Sequence, residues 1–235
     1  MRVLHFSSLL SIALLAACAS QTTITTAGIS ACQSTITAYG SRALLRDSPD
    51  TVAVMLRDVA LSPTAIGYGP GAGYLEELTL IDGVWQIARA TGADTVTVSP
   101  APADSDGAMF LVIASPDAWI ERMLDAPVSG MAGLEALIAQ SALSAGCPPG
   151  AIAFKLSGTI RGADWSVVGR PSGARGRMEE AAATLIGLYD PADADRYFMP
   201  QGRRVHVHVL SGDGRLSGHL DDFGSLEAGI LSLPQ

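Results

Sequence analysis

Of the four histidines in the chain, three stand within fourteen residues of one another, at His206, His208 and His219. Side chains alternate between the faces of a strand, so His206 and His208 share one face while Val205, Val207 and Val209 take the other. Asp213-Gly214 is a preferred two-residue hairpin turn, because both residue types tolerate positive φ. Folding about that turn pairs Gly212 with Arg215 and, counting outward, His208 with His219. Directly opposed residues have Cβ atoms about 4.5–5.5 Å apart, and diagonal neighbours lie within about 7–8 Å. Three neutral imidazoles gathered in this way form a first-row metal site with open positions, the pattern of a catalytic zinc rather than a structural one. An isolated His-x-His is more often a surface or half-buried pair. The third histidine, at the position the turn requires, is what points to metal. The valine stripe marks the core face, so the histidines face something other than the main core.

The elements that must carry this hairpin follow from periodicity. Residues 37–46 and 50–61 have helical apolar spacing, separated by Ser48-Pro49-Asp50. A glycine-rich turn over 67–73 lacks the Gly-Lys-Ser/Thr ending of a phosphate loop. Strands are predicted over 77–81, 84–89, 95–99 and 109–114, with Asp82-Gly83 as the turn between the first two. A helix over 133–145 stops at Gly146. Strand signals return at 152–160, 165–168, 184–189 and the two histidine strands, and 226–233 can add another. The class is therefore mixed α/β (α+β). It should form two lobes of mixed or antiparallel sheet, over about 34–150 and 151–235, with a few helices and the metal site on a C-terminal β-hairpin.

The N-terminus reads as an export signal over 1–17: Arg2 supplies positive charge, and the apolar run of 9–17 is too short to span a bilayer. It ends in Leu15-Ala16-Ala17-Cys18, which looks like a bacterial lipobox, so Cys18 is the expected lipidation site. An ordinary signal peptide with a free Cys18 is the alternative. Ala19 after the cysteine suggests the outer membrane, facing the periplasm, and residues 18–33 read as a tether. The formal charge of −8 argues against nucleic acid, whose phosphates are neutralised by Lys and Arg. Cys32 and Cys147 can pair in an oxidising compartment, and two buried thiols are the other reading.

The chain resembles acetolactate decarboxylase, a family that removes carbon dioxide from 2-acetolactate with a zinc held by three histidines. The family's His-x-His-x-Leu-Ser-x-Asp and Gly-His stand here as His206-Val207-His208-Val209-Leu210-Ser211-Gly212-Asp213 and Gly218-His219, at the same intervals. Ala183-Thr184-Leu185-Ile186-Gly187-Leu188-Tyr189 is similar to a family strand, and Met199-Pro200 with Gly202 to the lead into the histidines. Val167-Val168-Gly169-Arg170 resembles the stretch that ends in the active-site arginine. Glu77 matches a glutamate that approaches the metal when Asp82-Gly83 is aligned. Pro70 stands where the family has a threonine near the substrate, and the family continues past the hairpin into a tail bearing another acid, whereas this chain stops at Gln235.

The resemblance implies a carboxy-lyase acting on a 2-hydroxy-3-keto acid, with one Zn2+ per chain on His206, His208 and His219, and with Arg170 and Glu77 as catalytic residues. A homodimer is compatible with it. Two rivals share the histidines: a zinc-binding envelope lipoprotein of the same fold without turnover, and a metal hydrolase with a different pocket.

Overall fold

The computed structural model describes residues 32–192 and 196–235; the expected leader and Cys18 lie outside the described residues. In chain order the elements are β1 (Thr35–Gly40), α1 (Arg42–Asp47), β2 (Val54–Met55), β3 (Ile66–Pro70), β4 (Glu77–Ile81), β5 (Val84–Ala90), β6 (Val96–Ser99), β7 (Gly107–Ala108) and β8 (Phe110–Ser115). There follow β9 (Trp119–Met123), β10 (Val128–Ser129), α2 (Gly130–Ala145), β11 (Ile152–Val167), β12 (Ala174–Tyr189), β13 (Val205–Ser211), β14 (Ser217–Asp222) and β15 (Ser225–Pro234). Six strands form one sheet in the order β1-β8-β3-β4-β5-β6, and seven form a second in which β9 and β10 both pair with β15. The pairings are antiparallel, which makes the class α+β with few helices. The chain passes between the main sheets in the short link from β8 to β9, upstream of the expected position near 150.

The second sheet closes on itself around the histidine hairpin. β11 pairs with β12 along its length, while its other edge pairs first with β15 and then, through Asp164–Ser166, with β14. β12 pairs with β13 and β13 with β14, so β11-β12-β13-β14 form a closed ring and both histidine strands are paired on both edges. Closure removes free edges and fixes register, since a one-residue slip would turn every histidine to the other face. Val205, Val207 and Val209 pack with Phe154, Leu185 and the α2 residues Met131, Leu134 and Ile138. The opposite face meets the first sheet, where Tyr68, Phe110 and Val112 pack with Ile186, Leu188, Tyr197 and Met199.

The β4–β5 hairpin forms as the sequence predicts: Asp82 and Gly83 take φ of 49° and 73°, and Ile81 pairs with Val84. In β4, Leu78 and Leu80 enter a core of the first sheet, so Glu77 and Thr79 point the other way, toward the histidines. The helix expected from 133 begins at Gly130 and ends at Gly146 in the left-handed conformation, with the Gly146 and Cys147 N–H groups capping Leu143 and Ala142 carbonyls.

Two expected helices are corrected. Residues 37–40 belong to β1, which pairs with the buried β8, and only Arg42–Asp47 is helical. Pairing with an apolar strand outweighs a local helical period in a stretch rich in Thr and Tyr. Residues 50–61 hold β2 and a single 3-10 turn, Leu56–Asp58, which suffices to bury Leu56 and Val59 three residues apart. The expected strands 152–160 and 165–168 are one strand, β11, because 161–164 remain paired to β12 through residues that look like a turn in sequence.

Candidate metal centre

The hairpin register is the expected one: His208 faces His219, Val209 faces Gly218 and Leu210 faces Ser217. The turn differs from the expected two-residue form. The Gly214 N–H donates to the Ser211 carbonyl, so Gly212 and Asp213 are the central residues, and only Gly214 of the loop 212–215 takes positive φ, at 70°. Asp213 Oδ1 accepts from the Ser211 hydroxyl and the Arg215 N–H, and this side-chain network favours the longer loop without altering the pairing outward of it.

The three imidazoles face one another across a small space. Ring centroids are 5.4 Å apart for His206 and His208, 4.9 Å for His206 and His219, and 5.8 Å for His208 and His219. For nitrogens about 2.0–2.1 Å from a tetrahedral zinc, with centroids about 1.1 Å behind them, the expected centroid separation is about 5 Å. Each ring has its Nδ1 engaged. His206 Nδ1 donates to the Phe198 carbonyl at 2.7 Å, and His219 Nδ1 donates to Asp221 Oδ1 at 2.9 Å. Carbonyl and carboxylate oxygens only accept, so both rings carry the proton on Nδ1 and leave Nε2 as the free lone pair. His208 Nδ1 lies 2.8 Å from the Thr79 hydroxyl, a partner that serves the same tautomer. Hydrogen bonding of the far ring nitrogen is the usual support of a metal-bound histidine.

His208 supplies the fit test for a metal. It is 0% exposed, and its Nε2 is buried with no hydrogen-bond partner. Leaving such an atom unpaired costs about 1–3 kcal/mol, which a bound cation would relieve. The nearest carboxylate oxygen is Glu77 Oε1 at 3.5 Å. Among the described residues no group of three or more His, Cys, Asp or Glu side chains stands, as placed, in a geometry that could hold a metal ion. The fit to a cation rests instead on the chemistry of the donors, Nε2 of each ring and Glu77, and on the unpartnered Nε2 of His208.

The electrostatics keep His206, His208 and Glu77 neutral. Burial drives His206 and His208 well below the usual histidine range, and the neighbouring imidazoles add to the effect. Burial likewise raises Glu77 to about 8, against the Val168 N–H that donates to its Oε2 at 3.1 Å. The Glu77–His208 contact is therefore not an ion pair at neutral pH. For Asp221, burial pushes upward, but the hydrogen bond from His219 and the nearby Arg175 hold it below its ordinary range.

Arg170 follows two residues beyond Val168, whose N–H contacts Glu77. Its guanidinium is 43% exposed and pairs with Asp50 at 2.7 Å. Cys32 and Cys147 form a disulfide. Four contributors were not singled out from sequence. Tyr68 stacks on His206 at 4.1 Å, Thr79 supports His208, the Phe198 carbonyl supports His206 and Asp221 supports His219. Asp221 was within reach, since it lies two residues after His219 on the same strand face. Nothing in the sequence marks Tyr68 or Phe198, whose roles depend on the meeting of the sheets.

Fold and site together define an α+β architecture of two antiparallel sheets with a histidine cluster enclosed between them. No family model matches the chain, and no curated protein matches it. Among solved structures it is similar to acetolactate decarboxylase from Bacillus subtilis subspecies spizizenii, with 18% identity over 85% of both chains and a TM-score of 0.65. The α-acetolactate decarboxylase of Bacillus subtilis strain 168 gives the same values. A Staphylococcus aureus protein of unknown function, described as similar to α-acetolactate decarboxylase, has 13% identity over 84% of both chains and a TM-score of 0.64. At these identities the likeness establishes the fold.

Proposed function

We propose that the protein is a metal-dependent carboxy-lyase that converts 2-acetolactate to acetoin and carbon dioxide, with one Zn2+ per chain on His206, His208 and His219. The observation that supports this most is the meeting of three imidazoles and a buried carboxyl in a fold shared with acetolactate decarboxylases. When bound, the ion supplies Lewis acidity to adjacent hydroxyl and carbonyl oxygens and stabilises negative charge as carbon dioxide leaves.

The chain's own residues do the rest. Decarboxylation leaves an enediolate that must gain a proton to become acetoin. Glu77, raised to about 8, holds a proton at neutral pH and is positioned to deliver it. Arg170 exchanges its Asp50 partner for the substrate's carboxylate, which its planar donors match. The ring of Tyr68 and the flanking Phe198 wall the histidines and keep water out. The same proposal places the protein on the cell envelope, outer membrane facing the periplasm, through a lipid at Cys18.

Incubation of the zinc-loaded protein with racemic acetolactate tests this reading. Acetoin should form well above the spontaneous background. Arg170→Ala and Glu77→Gln should lower the rate at least tenfold with zinc still bound, and Arg170→Lys should also be impaired because a point charge lacks the fork. No acetoin above background from the loaded protein would refute it.

A further inference from the structure

The three histidines are not held alike. His206 is buried beneath the stacked ring of Tyr68, and His208 is fully buried with Tyr68 tilted at 5.5 Å. Packing restrains both in addition to their Nδ1 hydrogen bonds. His219 is the outermost, with its side chain 22% exposed, and it meets the other two imidazoles edge-on at 85° and 88° with no parallel ring against it. What fixes it is a single contact, Nδ1 to Asp221 Oδ1 at 2.9 Å. Of the partners on the three Nδ1 atoms, Phe198 offers a backbone carbonyl and Thr79 a hydroxyl; Asp221 alone brings a charge.

Asp221 is itself built into the fold. It lies two residues beyond His219 on β14, so it shares that face of the strand. β14 is clamped between β13 and β11, and the register with β11 shifts between Asp164 and Trp165. Past that irregularity Ser166 stands opposite His219.

We propose that Asp221 is the positioning residue of the centre: it selects the Nδ1–H tautomer of His219, aims Nε2 at the space shared with His206 and His208, and makes His219 the most electron-rich donor of the three. The inference rests on the metal reading above, since a donor needs an acceptor. A carboxylate behind a ligating imidazole typically contributes 10- to 100-fold to metal affinity.

Two measurements test it. Zinc affinity, by competition with a chromophoric chelator, should weaken at least tenfold in Asp221→Ala. Asp221→Asn, which keeps an acceptor and loses the charge, should fall between that variant and the unaltered protein. Affinity within twofold of the unaltered protein in Asp221→Ala would overturn the proposal. Nitrogen-15 NMR of the metal-free protein should show His219 as a single Nδ1–H tautomer, giving way to a mixture in Asp221→Ala; an unchanged tautomer would overturn it. The second readout needs neither metal nor turnover. If the unaltered protein binds no zinc, the metal reading falls while the tautomer still decides the role of Asp221. Because Asp221 is half-exposed, the alanine variant should fold, and the asparagine variant guards against the case in which it does not.

Discussion

Burial does two opposite things to the titrating residues of the centre and to Glu76, which adjoins Glu77 in sequence and faces Arg89. Glu76 and Glu77 are raised from an ordinary 4.5 to about 7 and about 8, so the folded, metal-free protein keeps protons that the unfolded chain has lost. Their stabilising contribution is complete below pH 4.5 and is lost as pH rises through those values. His206 and His208 are driven below 6.5, so their contribution is complete above that pH and lost as pH falls. Between pH 4.5 and 6.5 the two pairs offset; from 6.5 to 8 only the carboxyls titrate. Denaturant melts of the metal-free protein should therefore lose on the order of 2 kcal/mol over that upper interval. Glu77→Gln should remove much of the loss, and a flat profile in the unaltered protein would contradict the burial argument. The histidines were legible in sequence because a period of two and a turn place them, whereas Glu77 was legible through the family resemblance aligned on Asp82-Gly83. Thr79 and Asp221 obey the same parity but carry no motif. Arg170 was legible only by resemblance, and its partner Asp50 lies 120 residues away, beyond any local pattern.

At the scale of elements, the hairpin is held from behind. Leu134 and Ile138 of α2 are fully buried against the valine stripe and its neighbours. Leu134→Ala should cost about 2–5 kcal/mol by loss of burial and a residual cavity, measured by chemical denaturation. A cost below about 1 kcal/mol would mean that α2 is not packed there. The strands of both sheets were legible where apolar runs met Asp-Gly turns, as at β4 and β5. The helices expected over 37–46 and 50–61 failed because a long-range partner, β8 or β7, decided those segments. The closed ring could not be foreseen, since it depends on one long strand changing partners halfway along its edge.

For the whole molecule, the disulfide ties the start of the described chain to the end of α2 across a separation of 115 residues. Among the described residues no helix is long and apolar enough to cross a membrane, so the proposed membrane association rests on Cys18. Cys18→Ser should move the protein from the membrane to the soluble envelope fraction and change its processed mass; unchanged partitioning would remove the lipid anchor from the reading. The fold class followed from the clustering of strand signals, whereas the passage between sheets did not, because β9 and β10 return to β15 from far along the chain. The central claim is that the three imidazoles form one cation site, and metal content tests it most directly. Zinc titration of the purified body, followed by elemental analysis, should reach about one ion per chain, as three preorganised imidazoles require. His208→Ala should lose it. Stoichiometric zinc retained alike in His206→Ala, His208→Ala and His219→Ala, or none in the folded unaltered protein, would contradict the claim.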